Sequence, residues 1–104
     1  MPEMKDELLR GIFLSFVRVH VLHHAVEGEI YGVEMIEELG RHGYSLGPGT
    51  VYPLLHSMET SGYLVCEKRV VGGKIRKYYR STEEGRLALK ELRAKIQELI
   101  EEVL

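Results

Sequence analysis

The sequence contains no tryptophan, a single cysteine and no long apolar run. One cysteine, Cys66, excludes an internal disulfide framework and fits a reducing compartment. The most apolar stretch, residues 12–17, is followed at once by Arg18, so it is too short for a membrane span or a signal peptide. These absences predict a cytoplasmic protein without a membrane partner.

The composition that remains is that of a small globular protein with an uneven charge distribution. The 104 residues are 44% apolar and 29% charged, which suits one domain. The formal net charge is -2, yet the stretch from Lys68 to Arg80 holds six basic residues and no acidic one. A basic patch on an acidic body is typical of a protein that presents one face to a polyanion.

The stretch from Ser45 to Leu64 predicts a helix with two different faces. One face is an apolar stripe that needs a core: Val51, Leu54, Leu55 and Met58. The other carries short or flat hydrogen-bonding groups and no carboxylate, and can approach phosphates and base edges: Thr50, Tyr52, Pro53, His56, Ser57 and Thr60. Because Pro53 is costly inside a helix, the regular helix could begin as late as Thr50, with that hydroxyl as its cap. Gly62 is expected to end it.

Two more helices are predicted before this one. Residues 6–26 carry an apolar arc too wide for one core, so part of it is expected to face a second subunit. Residues 31–40 predict a shorter helix with Val33, Ile36 and Leu39 facing inward. This helix, the short polar turn after it and the next helix with its carboxylate-free face form a helix-turn-helix pattern. Many unrelated helical proteins share that outline.

Residues 64–71 and 74–80 alternate in polarity and predict two strands joined by a two-glycine turn. The expected cross-strand pairs are Val71 with Lys74, Val70 with Ile75, Arg69 with Arg76, and Lys68 with Lys77. Two like-charged pairs are unfavourable for folding, so a phosphate backbone outside the fold would favour them, with the glycine tip in a minor groove. The alternative is a solvated positive edge that prevents sheet-to-sheet association.

The final stretch predicts a helix that opens with a capping box over residues 81–84. Beyond it, apolar residues repeat at alternating spacings of three and four, which is a coiled-coil seam: Leu89, Leu92, Ile96, Leu99 and Val103. This helix is expected to pair with the first helix, with its symmetry mate, or with both. Alternatively, it folds back onto its own domain.

Three histidines lie on one side of the first helix, at His20, His23 and His24. Imidazoles four residues apart can share a transition metal, so His20 and His24 are a candidate metal or small-ligand sensor site near the dimer interface. Glu27 and Cys66 are conceivable further ligands. The alternative is that these histidines are satisfied interface residues that make the interface sensitive to pH.

Four ordered motifs give the chain a family resemblance. They are Tyr31-Gly32, the run from Pro48 to Leu55, Gly73 with the run from Arg76 to Arg80, and the run from Thr82 to Arg86. Over residues 8–104 the chain resembles the PadR-like winged helix-turn-helix repressors, in particular their smaller branch with a single C-terminal helix.

The resemblance implies a mainly α fold with a two-stranded wing. Residues 1–81 would form the winged helix-turn-helix domain and residues 82–104 the dimerisation helix. It implies a homodimeric repressor on a palindromic double-stranded operator. The implied DNA contacts are Pro48, Gly49, Thr50, Tyr52, Pro53 and His56 on the third helix, and Lys74, Arg76 and Lys77 on the wing. The alternative for Tyr52 is that it packs under the wing. The implied dimer interface comprises Leu9, Phe13, Phe16, Val17, Leu89, Leu92, Ile96, Leu99 and Val103.

The same resemblance leaves the effector open. A small-molecule inducer and a transition metal are both candidates, while the absence of tryptophan argues against the drug-stacking pore of some relatives. A winged-helix protein-interaction module without DNA binding is the alternative function, and steep salt dependence of duplex binding would distinguish the two. An enzyme is not expected, because no nucleophile with its base and no paired carboxylates are recognisable.

Overall fold

Four helices and a small antiparallel sheet make up the computed structural model, which describes residues 7–104. The elements are α1 (Glu7–Glu27), β1 (Ile30–Tyr31), α2 (Gly32–Arg41), α3 (Pro48–Thr60), β2 (Leu64–Val71), β3 (Lys74–Ser81) and α4 (Glu83–Val103). The winged helix-turn-helix prediction is confirmed. Residue 6, where the first predicted helix begins, lies outside the described residues. No helix within 7–104 is long and apolar enough to cross a membrane.

The core lies where α1, α2, α3, the sheet and the start of α4 meet. The second half of α1 contributes Val17, Val21, Leu22 and Ala25, and α3 contributes the predicted stripe of Val51, Leu54, Leu55 and Met58. On α2, Met35 and Leu39 are buried and Ile36 is partly buried, whereas Val33 is 43% exposed. The inward assignment of Val33 is therefore wrong, because α2 turns its Met35 face towards the core.

Helix α3 begins at Pro48, before the late start at Thr50 that Pro53 suggested. Gly47 is the N-cap residue, and Pro48 occupies the first turn. Proline is tolerated there because the N–H group that it lacks would have no carbonyl partner within the helix. Thr50 is inside the helix, and its backbone N–H already donates to the carbonyl of Gly47 at 3.1 Å. The predicted Thr50 cap is therefore wrong. Gly62 does end the helix, in the left-handed conformation at φ +88°.

The hairpin has the predicted register from Leu64 opposite Ser81 to Val71 opposite Lys74. Gly72 and Gly73 form its turn with positive φ angles of 58° and 76°, as a two-residue hairpin turn requires. A short third strand was not predicted: Ile30 and Tyr31 of β1 pair with Tyr79 and Tyr78. The sheet order is β1-β3-β2, so β3 is the central strand.

Helix α4 is capped by Thr82, whose hydroxyl accepts a hydrogen bond from the N–H of Gly85 at 3.1 Å. The predicted capping box is incomplete, because the residue three positions after this cap is Gly85 rather than a glutamate. Gly85 is buried against the carbonyl of Tyr63 and the side chain of Ser81. The beginning of α4 is therefore part of the core, and every residue from Lys90 onwards is exposed.

Candidate nucleic-acid interface

The first turns of α3 present a carboxylate-free surface. Pro48, Gly49 and Pro53 are exposed, and Thr50 is half-buried. His56 is also exposed, but it lies beyond the first turns and its Nδ1 is 3.6 Å from Glu59 Oε1. The first turn contains no acidic residue, so the unpaired backbone N–H groups at this helix end can face an anion without repulsion. This end of α3 can therefore approach a phosphate group closely.

Tyr52 of α3 lies beside the wing, which is the hairpin of β2 and β3. Its ring fills the space beside Gly32, where an added Cβ would come within 2.6 Å of the Tyr52 hydroxyl. Burial, and then the neighbouring Tyr31, raises the pKa of Tyr52. Tyr52 also lines a small cleft with Tyr31, Ile75, Arg76 and Lys77. The predicted contact residue is thus half-buried, and it joins α3 to the wing.

The wing carries cations on both of its faces. By register, Lys68 and Lys77 lie opposite each other on the face that also holds buried Leu64 and Tyr79, and Lys74 and Arg76 lie on the other face. No ion pair within the described chain involves Lys68, Lys74, Arg76 or Lys77. Four wing cations therefore lack an acidic partner in the part of the chain that the structure describes.

Arg69 is different from these four residues. Its guanidinium donates to the carboxylates of Glu29 and Glu67 and lies 4.3 Å from the centroid of the Tyr78 ring. The hydrogen bonds that Arg69 donates to Glu29 and then to Glu67 raise its pKa. The expectation that the Arg69 and Arg76 pair needs an external anion is therefore wrong for Arg69, because the fold supplies two carboxylates.

An aromatic stack supports the outer face of the wing. Tyr31 of β1 stacks on Tyr78 of β3 with ring centroids 5.4 Å apart, and the guanidinium carbon of Arg76 lies 5.0 Å from the Tyr31 centroid. Sequence reasoning missed both Tyr31 and Glu29 as supports of the wing. The pairing of β1 with β3 would have identified them, but a two-residue strand leaves no periodic signal.

The predicted dimer-interface residues fall into three groups: exposed, buried and half-buried. Leu9, Phe16, Leu92, Ile96, Leu99 and Val103 are exposed, between 37% and 63% of their area. Val17 and Leu89 are only 1% and 2% exposed and belong to the core, so their assignment to an interface is corrected. Phe13 is half-buried and contacts Tyr44 edge to face, with centroids 6.3 Å apart.

The histidines do not all lie together as the helical projection suggested. The His20 ring stacks on His42 with centroids 4.7 Å apart and also contacts Tyr44. Burial, followed by the charges of His42 and His24, lowers the pKa of His20. The loop that follows α2 packs against this ring, and His20 is not among the residues whose ligand atoms lie close to those of His24.

His23, His24 and Glu27 form the group that the structure brings together. Their ligand atoms all lie within 4.8 Å of one another, and no other group of three potential ligands of this kind occurs within residues 7–104. His23 Nε2 is 3.1 Å from Glu27 Oε1, and His24 Nε2 is 3.8 Å from Glu38 Oε2. Cys66, a conceivable further ligand, is half-buried on the wing and is not in this group.

Comparison with known proteins gives consistent matches along the chain. The sequence profile of the transcriptional regulator PadR-like family matches residues 21–91. The chain is 52% identical over 96 residues to the transcriptional regulator Rv3488 of Mycobacterium tuberculosis, covering 92% of this chain and 90% of that protein.

Two solved structures extend the likeness to the fold. A PadR family transcriptional regulator from Eggerthella lenta DSM 2243 is 33% identical with a TM-score of 0.75, over 94% of this chain and 90% of that one. A PadR-like transcription factor from Bacteroides fragilis is 27% identical with a TM-score of 0.83, over 94% and 96% of the two chains.

Proposed function

This chain belongs to the transcriptional regulator PadR-like family, and from that premise we propose that it is a homodimeric repressor of a palindromic DNA operator. It is a regulator and not an enzyme. The observation that carries the proposal is the cleft between Tyr52 of α3 and Ile75 to Lys77 of the wing. A carboxylate-free helix end and unpaired cations border the same cleft, which suits a phosphate backbone and the groove beside it.

The helix and the wing would divide the work of recognition. The exposed first turns of α3 carry short side chains that can reach base edges in the major groove, with Thr50 and His56 as the hydrogen-bonding groups. The unpaired lysines of the wing would bind phosphates, which positions the protein without reading sequence. Helix substitutions should therefore change sequence preference, and wing substitutions should change affinity for every sequence.

The tip of the wing adds an apolar contact. Val70 and Ile75 lie directly opposite each other and are 75% and 70% exposed. Lys68 and Lys77 form the next pair on the same face. An apolar tip with cations behind it suits the walls of a minor groove, where sugar atoms are apolar and phosphates flank them.

Dimerisation would bury the exposed seam of α4. From Lys90 onwards all residues of this helix are exposed, including Leu92, Ile96, Leu99 and Val103. A protruding amphipathic helix is marginal in water unless its apolar stripe is covered. Leu8, Leu9, Ile12 and Phe16 on α1 add exposed apolar area, so we assign the interface to these two helices.

Repression would follow from occupancy of the operator, and an effector would release it. We place the effector in the groove between α1, the end of α3 and α4, which has a volume of about 560 Å³, within the usual range for small-molecule sites. Its apolar lining consists mainly of Val19, Leu22, Met58 and Leu92. Compounds that raise the melting temperature should release DNA, and Ser15→Trp, which narrows the groove from its rim, should abolish both effects.

The DNA-binding proposal is tested with a labelled duplex from immediately upstream of the protein's own coding region. Log affinity should fall with log salt concentration with a slope of about -0.9 per phosphate neutralised. Lys77→Ala should make that slope shallower by the amount expected for about one phosphate contact, whatever the DNA sequence. Thr50→Ala should instead change the preferred sequence. Arg69→Ala is the matched control on the same hairpin, because this guanidinium already has two carboxylate partners.

Three outcomes would count against this interface. Binding without salt dependence would indicate a protein-interaction module. Equal losses of slope for Lys77→Ala and Arg69→Ala would mean that the unpaired cations are not the phosphate contacts. A change of sequence preference in Lys77→Ala but not in Thr50→Ala would mean that the helix and the wing have exchanged roles.

The dimer is tested by sedimentation. Leu99→Glu places a charge in the seam of α4 and should shift the protein towards monomer. Ala94→Glu places the same charge on the opposite, exposed side of that helix and should leave the dimer intact. A monomeric parent protein, or equal effects of the two variants, would refute the assignment of α4 as the dimerisation helix.

A further inference from the structure

We propose that His23, His24 and Glu27, at the end of α1, form a binding site for a divalent transition metal of the zinc class. Two imidazoles and a carboxylate are a common zinc ligand set, and the three ligand atoms lie within 4.8 Å of one another. His23 and Glu27 are one helical turn apart, with 3.1 Å between Nε2 and Oε1. Bonds of about 2.0–2.2 Å to a tetrahedral ion place two ligand atoms at about this separation.

The ligand types and their exposure define what kind of site this is. Imidazole nitrogen favours zinc, cobalt, nickel and copper over magnesium or calcium, which prefer oxygen. Three protein ligands leave a fourth position for water, as in exchangeable rather than closed structural sites. The side chains of His23, His24 and Glu27 are 40%, 29% and 65% exposed, so an ion can enter and leave without unfolding the helix.

Arg93 of α4 makes this site more than a surface chelate. Its Nη2 is 3.2 Å from His23 Nδ1. Because arginine only donates, Nδ1 must be the accepting nitrogen, and the ring proton must therefore lie on Nε2, where it is donated to Glu27. In this arrangement the His23 ring is held between a donor on α4 and an acceptor on α1.

A metal on His23 cannot coexist with that arrangement. If the ion binds Nε2, the ring proton moves to Nδ1, which then has no lone pair for Arg93. If the ion binds Nδ1, it takes the place of Arg93 directly. In both cases the bond between α1 and α4 at His23 is lost, so metal occupancy and the Arg93 contact exclude each other.

The experiment is isothermal titration of the full chain with Zn²⁺, repeated with Co²⁺ while its visible absorption reports the coordination number. One ion per chain is expected in the parent. Glu27→Gln and His23→Ala should each weaken binding by at least about tenfold, the lower bound set by losses of supporting residues at metal sites. His20→Ala and His56→Ala are the matched controls and should bind within about twofold of the parent.

Arg93→Ala provides the readout that a simple surface chelate would not give. Since its guanidinium competes with the ion for His23, its removal should tighten zinc binding severalfold. No stoichiometric binding in the parent would overturn the site. A loss in His20→Ala equal to that in His23→Ala would place the ion elsewhere, and unchanged affinity in Arg93→Ala would overturn the exclusion. None of these measurements involves DNA, so a failure of the proposed repressor function would be seen separately.

Discussion

Adding one methyl group at Gly85 should destabilise the fold, although alanine is the better helix former. A Cβ at this position of α4 would lie 2.3 Å from the carbonyl oxygen of Tyr63, 2.4 Å from Ser81 Oγ and 3.2 Å from Leu22 Cδ1. The Tyr63 carbonyl cannot simply retreat, because it accepts the N–H of Thr82 at 3.1 Å. Relief of the clash therefore has to move α4 or the chain that leads into it.

Two destabilising contributions and one stabilising contribution set the change in the free energy of unfolding. Overpacking a well-filled site costs about 1–3 kcal/mol. Displacing Gly85 also lengthens its hydrogen bond to the Thr82 hydroxyl, and losing a helix cap costs about 1 kcal/mol. Alanine recovers up to about 1 kcal/mol through its helix propensity. The net loss for Gly85→Ala should be about 1–3 kcal/mol, and each kcal/mol lowers the melting temperature by about 4–8 °C in a chain of this size.

Urea denaturation at one fixed protein concentration measures this loss. Gly40→Ala is the matched control, because Gly40 is a helical glycine of α2 with no atom within 4 Å of its added Cβ. That control should be stabilised by about 0.5–1 kcal/mol, the ordinary advantage of alanine in a helix. If Gly85→Ala behaves like Gly40→Ala, the tight packing of α4 against Tyr63 is refuted.

Three further predictions concern single contacts. Gly32→Ala should destabilise the fold by about 1–2 kcal/mol, because the added Cβ displaces the ring of Tyr52. In a Tyr52→Ala background the same substitution should cost much less. Losses in urea denaturation that simply add would contradict the contact. Burial, and then the charge of neighbouring histidines, lowers the pKa of His20, so its contribution to the free energy of unfolding should be complete above about pH 6.5 and decline below it. His20→Gln should flatten that decline. Melting temperatures that fall equally in parent and variant from about pH 7 to 5 would contradict this. Glu29→Gln should lower the urea midpoint slightly by releasing one side of Arg69, and the loss should shrink in high salt. A loss that does not depend on salt would argue against an ion pair.

The hairpin and α3 show what local patterns can determine. Two adjacent glycines between alternating strands allow one tight turn, and that turn fixes every cross-strand pair from Val71 and Lys74 outwards. The apolar stripe of α3 likewise fixes which side is buried. These features were predictable because the residues that decide them lie within a few positions of one another.

The supports of the wing and the histidine group depend on contacts between distant parts of the chain. Glu29 and Arg69 are forty positions apart, and His23 and Arg93 seventy. No periodicity in either segment indicates the other. The same limit explains Val17 and Leu89. Their spacing placed them on seams that face a partner, whereas in the folded chain both belong to the shared core.

Tyr31 and Gly32 explain how α3 and the wing keep one relative position. Tyr31 pairs with Tyr78 in the sheet and its ring lies against Arg76, so it belongs to the wing. Gly32 begins α2 and leaves the space that Tyr52 of α3 fills. Two consecutive residues therefore add a junction between the sheet and α3 at this cleft. If DNA binds at this cleft as proposed, Gly32→Ala should also lower operator affinity, because the buried Gly32 sets the position of Tyr52 between α3 and the wing.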